Sequence, residues 1–123
     1  MITGVVTANR EAVIQVHVRG ADGHIESVDA VIDTGFNGFL TLPARRVASL
    51  TLTYAGSTRA VLGDGQEVPL DLFEATVLWD GREREVAVLA VEGSALVGMA
   101  LLSGYRVTLE VKSGGVVTIE SLS

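Results

Sequence analysis

The side chains of this sequence that could do chemistry are carboxylates, hydroxyls and two histidines, because cysteine is absent. That absence removes disulfides, thiolate nucleophiles and thiolate metal sites from consideration. One carboxylate stands apart by its position. In "VDAVIDTGFNGFLTLP", Val28 to Pro43, Asp33 closes an apolar run and is followed at once by Thr34 and Gly35. A carboxylate ending a strand bound for the core is costly to desolvate, so it either faces water in a turn or is kept for chemistry.

The other chemistry-bearing residues are less well placed. His17 projects from the polar side of its strand and His24 lies in a turn, which gives both surface roles. Asp29 and Asp33 share a strand face across Val31, but two carboxylates without a third ligand make a poor metal site, so none is expected. The run Gly63-Asp64-Gly65 lacks the lysine and hydroxyl of a phosphate loop. Ser94 and Ser103 have no histidine set beside them, so a serine triad is not supported. Trp79, Tyr54 and Tyr105 read as packing residues at strand ends.

The elements that must hold Asp33 are strands. In "EAVIQVHVRG" the residues Ala12, Ile14, Val16 and Val18 alternate with Val13, Gln15, His17 and Arg19, the period of two of a strand with one buried face. Asp22-Gly23 signals a hairpin turn, after which "ESVDAVID" returns as the next strand. Pro43 with "ARRVASL" predicts a short helix carrying proline in its first turn. "RAVLGDGQEVPL" predicts a hairpin with a glycine tip, and "DLFEATVLWDGREREVAVLAV" another that turns at Asp80-Gly81. "SALVGMALLSGY" reads as a strand end, a bend at Gly98, a brief helix and a stop at Gly104. "RVTLEVKSGGVVTIES" closes as strand, turn and strand.

Composition agrees with that reading. The 123 residues suit one domain over 1–123, and a hydrophobic share of 48% supports a real core. Fourteen glycines against two prolines, with abundant Val and Thr, favour strands joined by tight turns. Fifteen acidic residues against nine basic ones argue against a nucleic-acid or anionic-membrane partner. The opening "MITGVVTANREAVIQ" lacks a basic flank and a continuous apolar core, and no run reaches the about 18 apolar residues of a span, so a cytoplasmic location is expected. The fold class read from the residues is mainly β, mostly antiparallel, with two short helices.

The ordered set "VIDTG", "AVLGDGQEVPL" and "ALVGMALL" resembles the retropepsin-like aspartic proteases, a single-domain group that includes the retroviral proteases and small bacterial relatives. The resemblance covers nearly the whole chain. It implies a closed β-barrel with one lobe per chain and hydrolysis of peptide bonds without a cofactor. It makes Asp33 the catalytic aspartate, Thr34 the hydroxyl that links two catalytic loops, and Gly35 the residue that permits close backbone approach. Val61, Leu62, Gly63, Asp64 and Gly65 become a substrate-covering flap, and Leu96, Val97 and Gly98 the support of the site. Phe36 stands where retroviral members usually carry alanine, and Asp64 where their flap tips are usually apolar.

The chemistry supplies an independent reason to expect two copies. Peptide hydrolysis by carboxylates needs one group ionised to take a proton from water and one protonated to polarise the carbonyl. This chain offers a single Asp-Thr-Gly motif. A homodimer solves the shortage, since two Asp33 carboxyls at a two-fold axis share one proton. Polypeptide is the expected substrate, with Val61, Leu62, Phe36 and Leu96 as apolar wall residues. The alternative is a β-barrel dimer that binds or scaffolds peptide without cleaving it.

Overall fold

A computed structural model describes residues 1–61 and 64–123. Ten strands and two short helices follow one another as β1 (Ile2–Val6), β2 (Ala12–Arg19), β3 (Ile25–Ile32), β4 (Leu40–Pro43), α1 (Ala44–Ser49), β5 (Thr53–Val61), β6 (Glu67–Trp79), β7 (Arg82–Val91), β8 (Ala95–Val97), α2 (Met99–Leu102), β9 (Tyr105–Leu109) and β10 (Val116–Ser121). All ten strands form one sheet in the order β5-β6-β7-β4-β8-β3-β2-β1-β10-β9. A further pairing of β6 with β2 closes six of them, β2, β3, β8, β4, β7 and β6, into a barrel.

The period of two decides which side chains fill that barrel. Ala12, Ile14, Val16 and Val18 of β2 are buried, while Gln15 and His17 between them face solvent. The same alternation places Val28 and Ala30 of β3, Ala75, Val77 and Trp79 of β6, and Val86 and Val88 of β7 inside. Turn chemistry sets the registers. Asp80 and Gly81 both take positive φ, 51° and 80°, the pair of left-handed residues that a two-residue hairpin requires. Gly23 at φ 86° does the same service between β2 and β3.

Several expectations are adjusted. β1 has no counterpart in the sequence reading; its five residues pair with β2 on one side and β10 on the other. The two hairpins read around residues 61–91 share one uninterrupted strand, β6, which pairs with β5 and then β7. Pro69 is tolerated there because it lies opposite Arg59 of β5, before the pairing with β7 begins at Leu72. Pro43 does not sit in the first turn of α1 but ends β4 and caps the helix from outside, with φ −59° and ψ 147°. Tyr54 is 60% exposed and touches the edge of Phe73 alone among aromatic rings, whereas Trp79 is buried against Tyr105. Two pairings are parallel, β3 with β8 and β4 with β7, and both lie next to the Asp33 loop. Among the described residues no helix is long and apolar enough to cross a membrane.

Candidate active site

Asp33 leaves the end of β3, where Ile32 is in register with Val97 of the parallel strand β8. Its backbone N–H donates to the Val97 carbonyl at 2.9 Å, so the strand pairing carries one residue past the last rung. Its carbonyl accepts from Phe36 N–H at 3.2 Å, which bends the chain back, and its Oδ1 accepts from Gly35 N–H at 2.9 Å. A carboxylate held by the amide two residues on is the hydrogen bond that acidic turn residues make. Here it orients a half-buried carboxyl group.

The loop after Asp33 is fastened to the segment after β8. Gly98 N–H donates to Phe39, Met99 N–H to Phe36 and Ala100 N–H to Gly38, at 3.0, 2.8 and 3.1 Å. These bonds require the two backbones to approach more closely than a side chain allows. A Cβ placed on Gly98 would run into the Gly38 carbonyl and the Phe36 ring, and one on Gly38 would meet the same ring. Phe36 therefore folds over two glycines. One polar side chain braces the arrangement from within: Thr41 of β4, 4% exposed, accepts the Leu96 N–H on its Oγ1 at 2.9 Å.

The sequence-derived residues fall into two groups. Asp33, Gly35, Val97 and Gly98 come together in a single hydrogen-bonded unit, with Val97 fully buried. Thr34 is exposed and makes no hydrogen bond to the described residues. Leu96 points to the opposite side of β8 from Val97 and is half-buried opposite Val31. Rungs across the strands join it to Val31 and then Val13, giving an apolar row on the outer face next to the carboxylate. Val13 and Val31 were not singled out from sequence, although the period-two pattern that buries Ile14 and Ala30 puts them on this other face.

β5 and β6 pair up to Val61↔Glu67, so the expected hairpin forms. Asp64 Oδ1 accepts from Gln66 N–H at 2.9 Å and Gly65 takes φ 83°, both features of a tight turn. Leu62, Gly63 and the side chain of Val61 lie outside the described residues. The two histidines keep to the surface: His17 Nδ1 is 2.8 Å from Ser27 Oγ and His24 Nε2 is 3.2 Å from Glu26 Oε2. Among the described residues no three His, Asp or Glu side chains gather as a metal site would require.

No protein-family model and no curated protein matches this chain. Solved structures do. A retropepsin-like aspartic protease from Rickettsia conorii superposes over 99% of this chain and 91% of its own, with a TM-score of 0.61 and 13% sequence identity. The EIAV protease, complexed with the inhibitor HBY-793, matches over 73% of this chain and 83% of its own, with a TM-score of 0.52 and 17% identity. The chain has the retropepsin-like fold.

Proposed function

We propose that this chain is an aspartic endopeptidase whose active site is completed by a second copy. The observation that carries the reading is the setting of Asp33. It is one carboxylate per chain, half-buried, oriented by Gly35, and tied to Val97 in a loop that glycine packing makes stiff. A rigid loop that presents a carboxylate while Thr34 and Gly35 beside it remain exposed is suited to meeting its own symmetry mate.

In the shared site the two Asp33 carboxyls cannot both ionise cheaply, so one proton lies between them over a broad range of pH. The ionised member takes a proton from water as that water attacks the scissile carbonyl carbon. The protonated member hydrogen-bonds the carbonyl oxygen, and a proton then passes to the leaving nitrogen as the C–N bond breaks. The Thr34 hydroxyl, without a hydrogen bond among the described residues, bonds across the two loops and fixes their spacing. Substrate lies extended beside the paired strands β5 and β6 of each copy, adding main-chain hydrogen bonds as a further strand does. The row Val13, Val31 and Leu96 gives the side chains next to the scissile bond an apolar wall.

The test is hydrolysis of a mixed peptide library at acid and neutral pH by the purified protein against Asp33→Asn. Asparagine keeps an acceptor for Gly35 N–H, so the variant folds alike and loses only the proton chemistry. Cleavage by the parent and none by the variant is expected. Peptide binding without cleavage by either would leave the scaffold reading instead.

A further inference from the structure

Arg84 is a cation on the inward row of β7. Its neighbours on that row, Val86 and Val88, are buried in the barrel, and across the rung it stands opposite buried Val77 of β6. A half-buried guanidinium at the end of such a row gives up hydration, so its contacts have to offset that loss. Two contacts do so. Nη1 donates to the Leu101 carbonyl of α2 at 3.2 Å, and the guanidinium carbon lies 5.8 Å from the centre of the Phe39 ring. The second distance is within the about 6 Å over which a cation is drawn to an aromatic face.

The first contact meets a need that α2 creates. A helix of four residues leaves its last carbonyls without intrahelical donors, and the last turn of α2 holds no basic side chain. No described backbone N–H reaches the Leu101 carbonyl, and Leu101 is completely buried. A buried carbonyl without a donor is destabilising, so Arg84 supplies from another strand what the helix lacks.

Where Leu101 and Phe39 sit gives the pair of contacts its consequence. Phe39 ends the loop that begins at Asp33, and its carbonyl accepts Gly98 N–H; Leu101 belongs to the helix fastened to that loop by Met99 N–H to Phe36 and Ala100 N–H to Gly38. Arg84 grips both sides of this junction from a third element. Phe36 in turn donates its N–H to the Asp33 carbonyl, which carries the grip to the carboxylate.

We infer that Arg84 is a positioning residue for Asp33, clamping α2 to the acidic loop through the Leu101 carbonyl and the Phe39 ring. That the positioned carboxylate hydrolyses peptides rests on the reading above; the clamp itself does not. Arginine suits the task because its planar fork serves a ring face and a carbonyl at once.

The test compares three variants by amide exchange and by peptide hydrolysis. Arg84→Met keeps the apolar stem and removes the cation, whereas Arg84→Lys keeps both a cation and a donor. Leu50→Val or Leu50→Ala, chosen to match the Tm of Arg84→Met, is the control, since Leu50 lies against Gly20 at the end of the β2–β3 pair opposite to Asp33. In Arg84→Met, exchange at the Met99 and Ala100 amides should speed up roughly tenfold. The Gly35 amide resonance, which reports on Asp33 Oδ1 through its 2.9 Å bond, should shift. The kcat should fall roughly tenfold with KM within about twofold of the parent, because the apolar wall is untouched. Arg84→Lys should stay near the parent, and the Leu50 control should move none of these readouts. If Arg84→Met does not fold, Phe39→Leu removes the ring alone and should change the same readouts in the same direction by less.

Unchanged exchange at Met99 and Ala100 would overturn the clamp whatever the activity. Faster exchange with Gly35 and kcat unmoved, or an equal fall in the Leu50 control, would overturn the positioning role. A parent protein that hydrolyses nothing would remove the peptidase reading, and the Gly35 shift would then decide the positioning role by itself.

Discussion

Asp33 and Val97 are joined through their backbones at 2.9 Å, so the acidic loop is an extension of the parallel pairing between β3 and β8. The carboxylate cannot shift without moving a strand whose inward residue, Val97, is completely buried. Placement of the chemical group is thereby coupled to the packing of the core.

Gly98→Ala tests that coupling at its tightest point. The added methyl meets the Gly38 carbonyl and the Phe36 ring, so one of the two loops must retreat. Overpacking of this kind costs about 1–3 kcal/mol. Calorimetry should show Tm falling by roughly 3–10 °C for a chain of this size, and any peptidase activity should fall more than stability does, because the displaced loop carries Asp33.

Thr41 offers a second handle on the same unit. Thr41→Val keeps the shape but takes the acceptor from the part-buried Leu96 N–H, at a cost of about 1 kcal/mol. Thr41→Ser keeps the acceptor. Hydrogen exchange at the Leu96 amide should speed up in the valine variant and stay slow in the serine variant.

The β3–α1 connection gives stability a dependence on pH. The Arg46 guanidinium, 2.7 Å from Oε1 of Glu26, holds that carboxyl below its ordinary range, with the Ser49 hydroxyl assisting. A carboxyl depressed in the folded state contributes stability that is present above its unfolded value, about 4.3, and is lost as pH falls through the lower folded value. Asp22, bonded by His24 N–H, and Glu83, bonded by Arg19, act in the same direction at the surface. Denaturant titration at a series of pH values should show stability falling below about pH 4.3, with a shallower fall in Glu26→Gln. An identical slope in the two proteins would show that the Arg46 pair adds nothing.

The legible part of this fold was what local chemistry dictates. Val13 to Arg19 announced a strand by alternation, Asp80-Gly81 announced a turn by its need for two positive φ angles, and Gly98 announced a bend. The Asp-Thr-Gly motif with its downstream "ALVG" was legible as a unit, and the two segments do meet. What lay beyond the sequence was long-range pairing. β1 is short, and its identity as a strand depends on β10, more than a hundred residues away. Thr41 looks like any strand threonine until the fold places the Leu96 amide above it. Val13 and Val31 become a wall only because parallel pairing brings Leu96 into their row.

The measurement that bears most directly on the shared site is activity across mixtures of parent and Asp33→Asn chains at fixed total protein. If chains exchange freely with equal affinity, activity should follow the square of the parent fraction and stand near about a quarter at equal mixing, because a mixed pair lacks one carboxyl. Specific activity should also drop on dilution as the pairs dissociate. A straight line through about one half at equal mixing, with specific activity constant on dilution, would contradict a site built from two chains even if Asp33 proved essential.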